Sequence, residues 1–512
     1  MTHGQPRRSS PGPTLTRLAD AVLIPPFPGT TAPDWLLAAL ERGLAGVTLF
    51  GQNVAGTGQL ASLTQRLHSV TDQPVIAIDE EGGDVTRLAH LTGSLYPGNA
   101  ALGAADDTDL TMRVYRAIGS DLAAAGINLD LAPSVDVNTA DDNPVIGTRA
   151  FGSDTATVTR HAAAAVSGLQ QAGIAACAKH FPGHGSTHED THHVTAGVSG
   201  GLDALWQRDL PPFRAAIAAG ARGIMTGHLR VPGLTGYLPA TLSHAALTGL
   251  LRKTLGFRGV IVTDALEMRG AQAGRGIPET GVLAVGAGAD LLCLGRDTSE
   301  QAYLAVRAAL VTAVRSGALP AARLEEAAAR VGELRRWLAS APHAGSGSGD
   351  GTRQAGSGVG LAAARRAASL SGTPGPFARP FVVQIEPRAN VAVGTVPWGL
   401  GPWLAGQDLM RIPARSGGGA TALAAEAIEL AAGKSLVVVV RDAHRDPVAR
   451  AVVTVVLAAR PDATVVEMGL PIWRPAAGAY LATYGAGYAN CQAAAEILGL
   501  DHSRELLADR EE

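Results

Sequence analysis

Residues 179–193 read KHFPGHGSTHEDTHH and hold five of the chain's 14 histidines. An imidazole can ligate a metal, move a proton, or sit in a solvated loop without function. His180, His184, His188 and His192 recur every four positions, a spacing that on a helix would line one face for a metal ion. Pro182, Gly183 and Gly185 interrupt the segment, so no helix is expected and the spacing has no geometric meaning. No second HExxH-type ligand pair occurs elsewhere, and metal chemistry is the weakest of the three readings. Asp190-Thr191-His192 offers a different chemistry. In extended backbone, side chains two apart lie on the same side, so Asp190 can orient the His192 ring and fix its tautomer for proton transfer. A second carboxylate, Asp264, ends the apolar run GVIVT. With Glu267 three residues later it also reads as the cap of a following helix, and a helix N-terminus would itself keep a nucleophilic carboxylate ionised.

Such groups must be held by rigid elements. Eight short apolar runs lie at 21–27, 45–50, 74–83, 127–133, 174–182, 221–229, 259–266 and 288–295. They are continuous rather than alternating, as buried parallel strands are. Helix candidates at 109–126 and 156–173 separate some of them. The pattern predicts an α/β fold with an N-terminal (β/α)8 TIM-like barrel over 17–342; the alternative is an open, doubly wound sheet. Many runs end in polar residues: Asp79-Glu80-Glu81, Asp130, Lys179-His180, His228 and Asp264. In a barrel those ends converge on one face.

The chain's 512 residues are too many for one core. Residues 343–360 are Gly/Ser-rich and read as a linker or loop, and 361–512 repeat the strand–helix alternation as a smaller α/β sandwich domain without evident chemistry. Strands are expected at 381–386, 435–442, 463–470 and 480–485, and helices at 418–433, 446–460 and 489–498. Hydrophobic residues are 46%, charged residues 17% and the net charge −3, which excludes extensive disorder and argues against nucleic acid or an anionic membrane as partner. Three well-separated cysteines imply neither a disulfide framework nor a cysteine-rich metal site. Residues 1–16 read as a disordered lead and not as a signal peptide. No run nears the ~18 apolar residues of a membrane span, so a cytoplasmic protein is expected.

These motifs together resemble glycoside hydrolase family 3, and within it the two-domain β-N-acetylglucosaminidases. The resemblance rests on KHFPGHG with Asp190 and His192, IDEEGGDVTRL (78–88), NPVIGTRAFG (143–152), MTGHLRVPGL (225–234), LPATLS (238–243) and VTDALEM (262–268), in family order across nearly the whole first part. The second part resembles the appended α/β sandwich more loosely. The resemblance implies Asp264 as nucleophile and His192, held by Asp190, as acid/base. It implies Asp79, Arg149, Lys179 and His180 as residues gripping the sugar hydroxyls, with Arg87 and His228 near that pocket and Asn128 and Asp130 supporting its floor. No metal or cofactor is implied.

The implied reaction is retaining exo-hydrolysis of terminal β-N-acetylglucosamine from small glycans, with muropeptide fragments of cell-wall recycling as the expected substrates. A neutral imidazole repels an anionic acceptor less than a carboxylate would, so phosphate stays open beside water as acceptor. A β-glucosidase on the same scaffold, and an inactive sugar-binding or regulatory protein, are the competing readings; intact Asp264, Asp190 and His192 argue against the last. No oligomeric state follows from the sequence. Three departures from the family pattern stand out: Thr191 where serine is usual, Ser186 where aspartate is common, and Asp84 where EGGR has arginine, a change expected to alter substrate contacts. His188 and His193 fall outside the pattern and read as solvated.

Overall fold

The computed structural model describes residues 14–272, 274–341, 349–375, 380–387, 393–404, 408–413 and 419–500. All eight apolar runs form strands: β1 (Leu23–Ile24), β2 (Gly46–Thr48), β3 (Val75–Ile78), β4 (Leu129–Asp130), β5 (Ala175–Phe181), β6 (Gly223–Thr226), β7 (Val260–Thr263) and β8 (Leu292–Cys293). Strands β2 to β7 pair in parallel and in chain order, and β8 pairs in parallel with β1. Both ends of the six-stranded sheet are tied to that pair. The Thr48 amide donates to the Pro25 carbonyl (3.2 Å), and a parallel bridge joins Val262 to Leu291. A doubly wound sheet reverses its strand order at a switch point, whereas this order is sequential, as in TIM-like domains.

Every residue of these strands is buried, so both faces select apolar side chains. Ile76, Ile78, Ala176 and Ala178 pack with the apolar faces of helices Thr108–Ala124 and Thr155–Gln171. Val75, Ala77, Ala175, Cys177 and Val262 fill the opposite side, closed by Leu334 and Leu338 of helix Ala321–Ser340. Asp107 and Asp154 start the two outer helices by accepting the amides of Leu110 and Thr157 at 2.9 and 2.8 Å.

The second part holds β9 (Ser369–Gly372), β10 (Phe381–Ile385), β11 (Leu409–Ile412), β12 (Leu436–Val440), β13 (Thr464–Glu467) and β14 (Ala479–Ala482), in the order β9-β14-β13-β12-β10-β11. Only β9 runs antiparallel to its neighbour. Alternate residues separate the two faces. Phe381, Val383, Ile385 and Val438 pack on helices Ala420–Leu430 and Pro447–Ala459, while Val382, Val437 and Val439 pack on Tyr488–Ile497. Strands β9 and β11 were not foreseen: β9 reads SLSG and is exposed throughout, so it carries no apolar signal.

Two boundaries differ from expectation. Thr14 caps helix Leu15–Asp20, so residues 15–16 belong to a helix, while 1–13 of the expected lead lie outside the described residues. Of the expected linker, 343–348 also lie outside, but helix Gly349–Ala367 takes up 349–360. Its small residues serve close packing. A side chain at Gly360 would collide with the Leu95 carbonyl of the first domain, and Ala363, Ala364 and Ala367 are buried.

Candidate active site

The strand ends converge as a parallel barrel requires. Asp79 and Glu81 follow β3, Lys179 and His180 end β5, and Asp264 follows β7. With Arg87, Arg149 and His192 they line one cavity of about 900 Å³. Asp190 lines an adjoining cleft of about 860 Å³ between the domains. Seven of the nine expected residues therefore share the pocket, and Asp190 stands just behind it.

The acidic run after β3 divides by alternation. Asp79 and Glu81 turn towards the pocket, while Glu80, between them, turns into the protein and accepts the amides of Arg87 (2.8 Å) and Leu88 (2.9 Å). Glu81 is one of two residues that sequence reasoning missed. Its carboxylate takes a two-pronged grip from Arg149 (2.7 and 3.0 Å) and a third bond from Lys179 Nζ (2.7 Å), which also holds Asp79 (2.5 Å). Burial alone would raise the Glu81 proton affinity, but Arg149 and Lys179 outweigh it and hold the carboxyl well below the usual range. Its signal was available: Asp79 and Glu81 are two apart, on the same side as each other.

His180 is fixed from both ring nitrogens. Arg149 Nη2, which can only donate, lies 3.2 Å from Nε2, so Nε2 is the bare acceptor and Nδ1–H donates to Asp136 at 2.7 Å. Asp136 is buried, also accepts the amides of His180 and His184, and is held down to about 2; burial would raise it, and the imidazoles and amides of His180 and His184 outweigh that. The sequence offered no sign of Asp136, which lies 44 residues from its partner.

The histidine repeat separates into four environments. His180 goes to Asp136, His184 to Thr187 and Thr191, His188 to Asp142, and His192 to Asp190. Residues 188–192 spell HEDTH, an HExxH string, yet the segment is not helical and its histidines point to different carboxylates. Among the described residues no group of three or more His, Cys, Asp or Glu side chains could hold a metal ion. His188 and His193 are exposed.

Asp190 Oδ1 takes both the His192 backbone amide (2.9 Å) and ring Nδ1 (2.6 Å), so the proton on Nδ1 faces the carboxylate and Nε2 is left for the pocket. The hydrogen bond from His192 holds the Asp190 carboxyl low against the desolvation that would raise it. Asp264 does not cap a helix, contrary to the alternative reading: the next helix starts only at Arg269. Its Oδ1 accepts the adjacent Ala265 amide (2.7 Å), and Glu267 instead holds the Asp297 amide (2.8 Å). Burial would raise the Asp264 carboxyl; His228, His180, the Ala265 amide and His192 together bring it below its ordinary value. The help from a helix terminus is thus replaced by imidazoles.

His228 is not a pocket residue. It is fully buried, with Nε2 donating to the Ala265 carbonyl (3.1 Å) and Nδ1 beside Thr241 Oγ1 (2.9 Å), so it backs Asp264 without lining the cavity. Asn128 and Asp130 brace the strands beneath, accepting the amides of Ile76 and Glu80. Asp84 is also turned away from the pocket and contacts the second domain. That domain, to which no chemistry was assigned, supplies Val393–Val396 to the wall of the cavity that Asp264 lines. Three cysteines, Cys177, Cys293 and Cys491, are buried and unpaired.

Comparison with known proteins places this constellation. Residues 34–334 match the model of the glycosyl hydrolase family 3 N-terminal domain. The chain is 40% identical over 263 residues to the β-hexosaminidase A of Pseudoalteromonas piscicida, covering 47% of this chain and 44% of that protein, so it spans less than half the relative's length. It is 40% identical over 267 residues to the β-hexosaminidase LpqI of Mycobacterium tuberculosis, covering 51% and 67%. A solved structure of a glycoside hydrolase family 3 β-N-acetylglucosaminidase from Paenibacillus is similar across both domains, with a TM-score of 0.84, 34% identity, and coverage of 95% of this chain and 96% of that one. Strand ends, pocket and family match agree: this chain belongs to glycoside hydrolase family 3 and is a glycoside hydrolase.

Proposed function

We propose that the enzyme is a retaining exo-β-N-acetylglucosaminidase. One observation carries the reading: Asp264 and His192 line the same cavity, and Asp190 holds the far side of the His192 ring. Asp264, ionised, attacks the anomeric carbon and forms a glycosyl-enzyme. His192 gives its Nε2 proton to the leaving oxygen and then takes one from the incoming acceptor. Arg149, Lys179, Asp79 and His180 hold the sugar, with Arg87 at the rim. The relatives' names, β-hexosaminidase and β-N-acetylglucosaminidase, support the sugar specificity. Small glycans, and muropeptide fragments of cell-wall recycling in the cytoplasm, are the proposed natural substrates. No described helix is long and apolar enough to cross a membrane.

The test is a set of initial rates on nitrophenyl β-N-acetylglucosaminide and on the matching β-glucoside, without and then with phosphate. A strong preference for the acetamido sugar supports the reading, and equal rates or a preference for the glucoside refute it. A sugar 1-phosphate product in the phosphate arm would make the enzyme a phosphorylase using the same two residues. No turnover of either sugar by folded protein would favour a sugar-binding role.

A further inference from the structure

Asp84 stands where the family motif has arginine, and its surroundings give it a different task. Its carboxylate is buried and takes three donors from three places. Thr148 Oγ1 donates to Oδ2 (2.7 Å), Arg441 Nη2 pairs with the same oxygen (3.0 Å), and the Ala486 amide donates to Oδ1 (2.9 Å). Thr148 is in the first domain; Arg441 and Ala486 are in the second. Nearby, the Ala489 amide donates to the Ser94 carbonyl (3.2 Å), and Gly487 packs so closely on Gly83 that a Cβ there would lie 3.0 Å from the Gly83 Cα. This corner of the first domain is therefore one docking point for the second.

The same corner carries the sugar grip. Three residues before Asp84, Glu81 holds Arg149, and Asp84 holds Thr148, the residue before Arg149. Segments 81–84 and 148–149 are thus joined by two parallel rungs, and the second rung also bears the second domain. We propose that Asp84 is a positioning residue that couples docking of the second domain to the placement of Arg149. On this view the second domain does more than wall the pocket: its seat on Asp84 sets where the guanidinium stands. The inference rests on Arg149 gripping the sugar, as proposed above.

The experiment compares KM, kcat and melting temperature, together with inhibition by free N-acetylglucosamine, for the full chain and its variants. It uses whichever nitrophenyl β-glycoside the unaltered enzyme turns over, so an error in sugar assignment shows in the wild type and an error here only in the variants. Asp84→Ala is expected to raise KM and the sugar inhibition constant together by about tenfold, with kcat changed much less, the factor that corresponds to weakening one hydrogen bond from a charged binding group. Thr148→Val cuts only the rung beside Arg149; it should raise both constants without disturbing the domain contact, and it stands in if Asp84→Ala does not fold. The double variant should be no worse than Asp84→Ala alone, because both changes break one link. Asp84→Asn keeps one acceptor oxygen; turned to Thr148 and Arg441 it preserves the rung beside Arg149 and gives up the Ala486 amide, so KM is expected to stay within about twofold of the wild type while the melting temperature falls. A lower melting temperature with unchanged KM in both Asp84→Ala and Thr148→Val would reduce Asp84 to a structural clasp and overturn the proposal.

Discussion

Glu80 and Glu81 are adjacent, both buried, and opposite in proton affinity. Burial pushes the Glu80 carboxyl from 4.5 up to about 7, with the amides of Leu88 and Arg87 opposing only in part. At Glu81 the same burial is outweighed by Arg149 and Lys179, and the carboxyl stays ionised. Glutamine keeps the size of either side chain and deletes the charge. For Glu80 the shift of 7 − 4.5 = 2.5, at 1.36 kcal/mol each, corresponds to about 3 kcal/mol. The folded protein binds this proton more tightly than the unfolded chain does. The stability it contributes is therefore full below about pH 4.5 and lost as the pH rises through about 7. Glu80→Gln should remove that decline and be at least as stable as the wild type near pH 8, since a glutamine carbonyl still accepts both amides. Glu81→Gln instead leaves two buried cations short of an anion, and should cost about 3–5 kcal/mol at any pH from 5 to 8. Urea unfolding of both variants at several pH values reads the two effects side by side. Equal losses from the two substitutions at pH 8, or a Glu81→Gln cost below about 1 kcal/mol, would refute this division of charge.

Three further outcomes follow from the site. Asp264→Asn should abolish turnover with an unchanged melting profile, as expected of a group at a rigid strand end; near wild-type rates would remove it as nucleophile. His192→Ala should slow glycosides with poor leaving groups far more than nitrophenyl ones, because activated leaving groups need little protonation; a uniform loss across a leaving-group series would count against the acid role. His184 is lowered by burial from 6.5 to about 4, so its stability contribution is present above pH 6.5 and is lost as pH falls towards 4, by up to about 3 kcal/mol. His184→Asn should flatten that acid loss in a pH series of melting curves, and an unchanged acid slope would contradict it. The Glu80 and His184 slopes oppose each other between pH 4.5 and 6.5, so the two variants should tilt the stability profile in opposite directions.

The strands were legible because a strand buried on both faces must be apolar throughout, and all eight runs met that demand. The polar residues closing those runs were legible for the same reason: a charge ends an apolar run only where the strand emerges. What could not be read were partnerships set by the third dimension. Glu81 matters through Arg149, 68 residues away, and Asp136 through His180. The sequence placed His228 near the sugar, but the fold turns it behind Asp264. Composition misled at 349–360, where the chain is helical and Gly360 marks a close contact with the first domain. Asp84 read as a lost substrate contact because local spacing says nothing about a partner 357 positions later, at Arg441.

The three cysteines have a practical consequence. Each is buried, and burial pushes the Cys293 and Cys491 thiols up to about 12, so at neutral pH they stay protonated and unreactive. Cys293 borders the candidate active-site cavity, yet its sulfur sits against Thr48 Oγ1 at 3.7 Å and the residue is only 3% exposed. The native chain is therefore a silent background for thiol chemistry. A single cysteine placed at exposed His188, or at Arg445 across the interdomain cleft, would be the one site a maleimide dye modifies, and the distance from the loop that carries His192 to the second domain could be followed by fluorescence without removing any natural residue from the core.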